Sequence, residues 1–513
     1  MKASWLAIPS LCGLCLLSAC GGSGGTSLTG ATHFAVTTPA AANAGTAFNN
    51  LTVTALDASN HTFTTYSGTV RFTSTDGSAA LPVPSVLTNG VGIFTATFNS
   101  SGMQTITATD TVNQTITGMS NETQVCCAAP AGTFTPTGSM QFAREGHTAT
   151  LLQDGTVLIA GGEGPGANPF GPLATAEIYN PTTGMFTPTA GSMETARVGH
   201  TATLLTNGNV LVTGGNDAAR ALATAEIFDP ATGMFTPTAG NMENNRVGHT
   251  ATLLNDGSGR VLVAGGGTVP GVVFGPLPIG DVGTFSAELF DPKSGQFTPV
   301  GNDMSARRVY HTATLLSNGD VLLAGGTSPP LSVLGQQPIL VGDLFSPASA
   351  MFTATSSGGT TAVHPAATTL QDGNVLITGG EVGSSACGVN GGNFWSSLRN
   401  ALFFINSDTS FVGANEMSAS RTSHTATLLP GGEVLIAGGA MGQGNCVLHR
   451  DEFAPLASAE LFNSANGTFT PTGSMEGTRA GHTATLLSNG KVLLVGGTGG
   501  GDNAALATAE LFQ

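Results

Sequence analysis

From residue 131 to residue 513 one pattern of apolar and polar positions recurs. Its second copy reads clearly. Arg197–Leu205 is a Thr-rich apolar run, Thr206-Asn207-Gly208 a turn, and Asn209–Thr213 a Val/Leu run closed by Gly214-Gly215. Ala223–Phe228 follows, closed by Asp229-Pro230 and Thr232-Gly233, and then Met234–Pro237. Short β-branched runs punctuated by turn residues predict four strands per copy. Asn207-Gly208 predicts a two-residue hairpin turn, because both residues tolerate positive φ. The same turn recurs at Asp154-Gly155, Asp256-Gly257, Asn318-Gly319, Asp372-Gly373, Gly431-Gly432 and Asn489-Gly490. One histidine opens each copy: His147, His200, His249, His311, His364, His424 and His482. Self-similarity at such a period means a solenoid, a propeller or an array, and four strands per copy make a propeller blade the unit.

Ring closure is also legible. The last copy stops at Ala509-Glu510-Leu511-Phe512-Gln513, after its third strand, and a spare fourth strand, Gly132–Thr137, precedes the first copy. The expectation is seven complete blades, the last one finished by the N-terminal strand. Residues 33–125 form a separate unit of alternating, Thr-rich stretches: Leu51–Leu56, Thr69–Thr73, Gly92–Phe98 and Gln104–Thr109. Short strands at that spacing predict a β-sandwich. Residues 126–130 are then a linker.

These residues carry resemblances. The Gly-Gly after the second strand, with Ala-Glu-Ile-Phe-Asp-Pro and Gly-Met-Phe-Thr-Pro around residues 225–237, resembles kelch repeats of the galactose oxidase central-domain type. Asn43-Ala44-Gly45-Thr46, Tyr66-Ser67-Gly68-Thr69-Val70 and Thr105–Asp110 resemble bacterial Ig-like repeats, which act as spacers. Leu17-Ser18-Ala19-Cys20 follows an apolar stretch, Trp5–Leu17, and resembles a bacterial lipobox. The whole expectation is all-β: a signal peptide over 1–20 with Cys20 lipidated, a tether over 21–32, an Ig-like sandwich over 33–125 and a seven-bladed kelch-type propeller over 131–513. Gly21 after the Cys resembles outer-membrane sorting, which places the chain in the bacterial envelope, lipid-anchored, at the outer membrane or cell surface.

Composition narrows the partners. Charged residues make up 9% of the chain and the formal charge is −16, which removes any electrostatic case for nucleic acid. Of the seven cysteines, Cys12 and Cys15 leave with the signal and Cys20 is the anchor, so Cys126, Cys127, Cys387 and Cys446 remain. In an exported chain an even remainder suggests disulfides. Cys387 and Cys446 each lie seven residues after the second Gly of their copy, so equivalent loops bring them together as a pair. Cys126-Cys127 stays open between a vicinal disulfide and free thiols.

For chemistry, the seven histidines belong to the repeat and read as structural. Arg144, Arg197, Arg246, Arg308, Arg421 and Arg479 stand three residues before the His, with Thr361 in the fifth copy. The third strands carry Glu177, Glu226, Glu288, Asp343, Glu460 and Glu510, with Leu402 in the fifth. Both charges vanish from one copy, as a buried ion pair requires. A Met seven before the His is replaced there by Ser357. Tyr310-His311 resembles the copper-ligating pair of galactose oxidase. That resemblance implies a second Tyr cross-linked to Cys and a further His from a following domain, and the propeller has only Tyr179 besides. No nucleophile elbow, phosphate loop or zinc spacing occurs, so no catalytic residue, metal or cofactor is assigned. The reading is a monomeric binding or adhesion module for carbohydrate, envelope polymer or protein. The alternative is a secreted enzyme related to copper radical oxidases or glycan-active propellers. Loops after the second and fourth strands vary in length, and rigid scaffolds present binding sites on such loops. The candidate ligand-binding residues there are Phe170, Phe274, Phe394, Trp395, His449, Arg450 and Asp451.

Overall fold

The computed structural model describes residues 30–126 and 132–513, except 40, 44–46, 101, 166–170, 269–282, 329–336, 340, 358–361, 384–393, 446–452 and 501–503. Every described element is a strand. The chain divides into two compact units, Met1–Cys126 and Cys127–Gln513.

In the first unit, His33–Thr37, Ala47–Leu56 and Val91–Thr97 form one antiparallel sheet. Ser85–Val86, Thr69–Ser74, Ile106–Asp110 and Thr117–Met119 form another, and Thr123–Cys126 pairs with Ala41–Asn43 and Gly102–Gln104. Alternate residues of these strands, among them Leu51, Val53, Val70, Ile106 and Ala108, point into one core with Phe34 and Phe98. The Tyr66-Ser67-Gly68 motif has a local cause. Tyr66 Oη donates to the Asp110 carboxylate, whose other oxygen accepts from the Val112 and Asn113 amides at 2.7 Å each. A Cβ at Gly68 would stand 2.4 Å from that phenol oxygen, so no side chain fits beneath the tyrosine.

The second unit contains seven four-stranded antiparallel sheets of one pattern. In sequence order their first strands are Thr148–Leu151, Thr201–Leu204, Thr250–Leu253, Thr312–Leu315, Ala366–Thr369, Thr425–Leu428 and Thr483–Leu486. Each of these strands touches the next, and Thr483–Leu486 touches Thr148–Leu151, so the ring closes. In the second sheet Thr201–Leu204 pairs with Val210–Thr213, that strand with Ala225–Asp229, and Ala225–Asp229 with Met234–Pro237. The second strands, such as Val210-Leu211-Val212, are wholly buried because neighbouring sheets cover both faces. This explains why they read as unbroken apolar runs rather than as alternating ones.

The seventh sheet is completed from the far end of the unit. Phe134–Pro136 pairs with Ala509–Phe512 in the register Phe134↔Phe512, Thr135↔Leu511 and Pro136↔Glu510, as the spare strand implied. Two reciprocal backbone bonds between Thr133 and Gln513 and a Phe134–Phe512 ring contact at 4.9 Å lock the join.

The first hairpin turn differs from the expectation. Leu205 bonds Asn209 across three residues, and only Gly208 has positive φ, at 91°. This is a type I turn followed by a left-handed residue, a three-residue loop. The Asn207 side chain accepts from the Asn209 amide instead of adopting positive φ itself.

The fifth sheet also corrects the alignment. Ala366 pairs with Thr378 as Thr148 pairs with Ala160. Pro365 therefore occupies the place of His147, and His364 the place of Gly146. Backbone torsions agree: φ is +52° at His364 and +60° at Gly146. Counting back, Ala362 and not Thr361 holds the arginine position, and the methionine position moves from Ser357 to Gly358, outside the described residues. Residue type alone had drawn the alignment one place off.

Candidate functional site

The six remaining repeat histidines are parts of the ring. Each bridges to the preceding sheet through Nε2 and a threonine hydroxyl: His147–Thr483, His200–Thr148, His249–Thr201, His311–Thr250, His424–Thr378 and His482–Thr425, at 2.8–3.1 Å. The Gly-Gly pair exists to admit these rings. A Cβ on Gly214, whose φ is +59°, would meet His249 Cε1 and the Arg246 carbonyl oxygen at 2.6 Å. A Cβ on Gly215 would meet His200 Cβ at 2.9 Å. Burial, and then the nearby arginine, depress the pKa of five of these rings to about 3, and that of His311 well below the usual value. They are neutral structural imidazoles.

The arginines act inside single sheets. Arg144–Glu177, Arg197–Glu226, Arg246–Glu288, Arg308–Asp343, Arg421–Glu460 and Arg479–Glu510 are ion pairs at 2.7–3.0 Å, all buried. Arg197 also donates to the Gly214 and Thr224 carbonyls and to Thr224 Oγ1, so one guanidinium joins the ends of two strands. In the fifth sheet the equivalent positions hold Ala362, which is buried, and Leu402, which is half-buried on the third strand.

A cavity of about 320 Å³ opens on the ring axis. It is lined by the residue just before each first strand and by the one before that. The outer of these two positions has positive φ throughout. It is Gly146, Gly199, Gly248 and Gly481 in four sheets, but Tyr310, His364 and Ser423 in three successive ones, at φ +56°, +52° and +53°. Backbone bonds run around this rim: Gly199 N to Gly146 O, Gly248 N to Gly199 O, Tyr310 N to Gly248 O and His364 N to Tyr310 O. The Tyr310 and His364 rings lie 4.3 Å apart between centroids, tilted by 36°. His364 Nδ1 is 3.2 Å from Glu381 Oε1, a hydrogen bond in which the carboxylate accepts and so orients the imidazole. The cavity thus has an aromatic and hydroxyl-bearing half and a bare glycine half. No arginine or lysine lines it among the described residues.

The long loops share this end of the ring, since the residue after each Gly-Gly bridges the residue before the rim position, as in Val363↔Glu381 and Val198↔Asn216. Glu381–Gly383, Phe394–Ser397, Ala440–Asn445 and Phe453–Pro455 form a further four-stranded sheet that joins the loops of the fifth and sixth copies. Trp395 pairs with Gly383 on one side and Gly444 on the other. The backbone thereby brings together the two loops that carry Cys387 and Cys446. Those cysteines, with Phe170, Phe274, His449, Arg450 and Asp451, lie outside the described residues; Phe394 and Trp395 are described by backbone alone.

Three residues escaped the sequence reading: His364 in its true position, Ser423 and Glu381. For Ser423 a signal exists. Aligning the copies on the glycine before the histidine exposes Tyr310 and Ser423 as departures. Glu145 and Glu163, directly opposite across an antiparallel bridge, also stand where other copies carry pairs such as Val198 and Asn216.

No family model matches this sequence, and no curated protein does. Among solved structures it is similar to a fungal alcohol oxidase of the AA5 family in complex with copper, at 19% identity and a TM-score of 0.56, over 75% of this chain and 76% of that one. The fold is a β-propeller. The likeness shows the architecture alone. His311 is engaged with Thr250 like its five counterparts. Tyr179 is fully buried, bonded to Thr137 Oγ1 at 2.9 Å and packed on Phe186. The third tyrosine, Tyr66, belongs to the other unit. Among the described residues no group of three His, Cys, Asp or Glu side chains could hold a metal ion. These residues do not fit a copper centre built on two tyrosines.

Proposed function

We propose that this chain is an exported, lipid-anchored binding protein. In this reading a seven-bladed kelch-type propeller, carried with an Ig-like spacer, takes a carbohydrate, an envelope polymer or a protein at its axial mouth. One observation carries the proposal: three successive rim positions hold Tyr310, His364 and Ser423 in a conformation for which the other four keep glycine. An L-residue held there costs about 1–2 kcal/mol, and such strain concentrates where function requires a side chain. A cavity near the lower bound for ligand pockets suits a single ring or one terminal group rather than a long chain.

Tyr310→Gly, His364→Gly and Ser423→Gly separate binding from folding, because glycine is the residue the backbone prefers. The full chain is expected to keep its melting behaviour within about 1 kcal/mol, relief of strain offsetting lost contacts. Affinity for a glycan array or for purified envelope polysaccharide should fall about tenfold or more in the triple variant. Unchanged binding by the folded triple variant would move the site away from the axis.

The likeness to an alcohol oxidase favours a second reading, a secreted oxidase, which predicts stoichiometric copper in the purified chain and peroxide production from alcohols. Metal analysis of the full chain decides between the two. For the anchor, Cys20→Ala is expected to abolish lipid labelling in a bacterial host; normal labelling of that variant would remove the lipoprotein from the proposal.

A further inference from the structure

The interactions that fasten the ring are distributed unevenly. Six of the sheets have an arginine joining strand ends and an acid receiving it. Six of the seams between sheets have a histidine–threonine bond. The fifth sheet has Ala362 and Leu402, which offer no side-chain hydrogen bond to the strand ends that Arg197 joins in the second sheet. The seam between the fourth and fifth sheets has Pro365, whose ring can neither donate nor accept, and Thr312 turns its hydroxyl to the Ala324 carbonyl of its own sheet instead. Both losses adjoin one another, and among the described residues the side-chain hydrogen bonds that seam keeps are Thr369 Oγ1 to the Leu315 carbonyl, Asn406 Nδ2 to Ser317 Oγ and Ser356 Oγ to the Thr409 carbonyl, at 3.2–3.3 Å. The two losses also coincide with the rim residues Tyr310 and His364, which stack across that same seam.

In a repeat architecture stability is close to a sum of intrinsic repeat terms and nearest-neighbour interface terms. A repeat weakened in both is the unit that opens at the lowest free energy. From this coincidence we infer that the ring opens first at its fifth sheet, along the seam to the fourth. The Tyr310–His364 stack, with Glu381 holding His364, is the latch across it. The inference concerns local opening of the empty ring and does not need the ligand of the preceding section to be known.

Hydrogen exchange followed by mass spectrometry on the full chain at neutral pH reads this directly. Peptides covering Ala366–Thr369, Val375–Thr378 and Ala401–Ile405 should exchange about tenfold or more faster than their counterparts in the second sheet, Thr201–Leu204, Val210–Thr213 and Ala225–Asp229. Uniform protection around the ring would overturn the inference. Ala362→Arg combined with Leu402→Glu should bring the fifth sheet to the level of its neighbours; a folded double variant that leaves its exchange rate unchanged also overturns it. If that variant does not fold, the reciprocal change decides. Arg197→Ala with Glu226→Leu should raise exchange in the second sheet toward that of the fifth, and continued full protection of the second sheet would refute the assignment.

Discussion

Lowering the pH from about 7.5 to about 5.5 is expected to destabilise the propeller steeply while the first unit keeps its stability. Six imidazoles are held neutral between sheets, with folded-state pKa values of about 3 for five of them and a strongly lowered one for His311. In the unfolded chain the same groups titrate near 6.5. Between these limits the unfolded state binds more protons, so stability falls as the pH falls through that window. Each of the five rings held at about 3 loses roughly 1 kcal/mol by pH ~5.5, and together they remove several kcal/mol, a large part of the stability of an ordinary domain. The first unit contains the opposite case. Burial pushes the carboxyls of Asp76 and Asp110 up, but their hydrogen bonds outweigh it and hold both below the usual carboxylate range. That stabilisation is complete above about pH 4 and is lost only below it. Calorimetry across this range should show one transition moving steeply down with pH and a second that hardly moves until about pH 4. A propeller transition independent of pH between about 5 and 7.5 would contradict the neutral, buried state of these rings.

Arg197→Ala is expected to destabilise the propeller by about 3–5 kcal/mol, because it leaves the Glu226 carboxylate buried without its cation. Glu226→Leu alone strands the guanidinium, which is fully buried, and should cost a similar amount. The double variant reproduces what the fifth sheet already carries, Ala362 and Leu402 at the two equivalent positions, and is expected to be milder than either single change. Denaturant titration of the four proteins gives the coupling energy through the double-mutant cycle. Additive losses would mean that the pair does not act as a unit. Because the residue at the arginine position of the fifth sheet is Ala362, alanine and not threonine is the replacement that the chain itself has tested.

Much of the architecture is legible in the sequence alone. Repetition made strand number, strand order and the seventh sheet's completion by Phe134–Pro136 legible, since each copy votes for the same assignment. Joint loss of both charges in one copy revealed the ion pairs for a similar reason: a desolvated charge does not persist without its partner. The same reliance on repetition failed where one copy departs. In the fifth copy a histidine stands one place early, and matching residue types set His364 among six histidines that it does not join. Register decided the matter, because only the pairing of Ala366 with Thr378 states which residue faces which. The site was less legible still. The aromatic and polar residues of the long loops stand out by their chemistry, and most of them lie outside the described residues; Tyr310, His364 and Ser423 are distinguished by backbone torsion, and a torsion is not written in any single residue.

By itself, then, the sequence determined which segments are strands, where they turn, which charges must meet and how the ring closes, because these follow from short-range pattern and from repetition. Only the tertiary structure decided that the repeat histidines are spacers bonded across the seams, that each Gly-Gly is the room those rings need, and that Tyr310, His364 and Ser423 share one rim. Those facts depend on contacts between copies about fifty residues apart, as between Thr201 and His249. Distance across a closed ring is set by packing of whole sheets and not by neighbours along the chain.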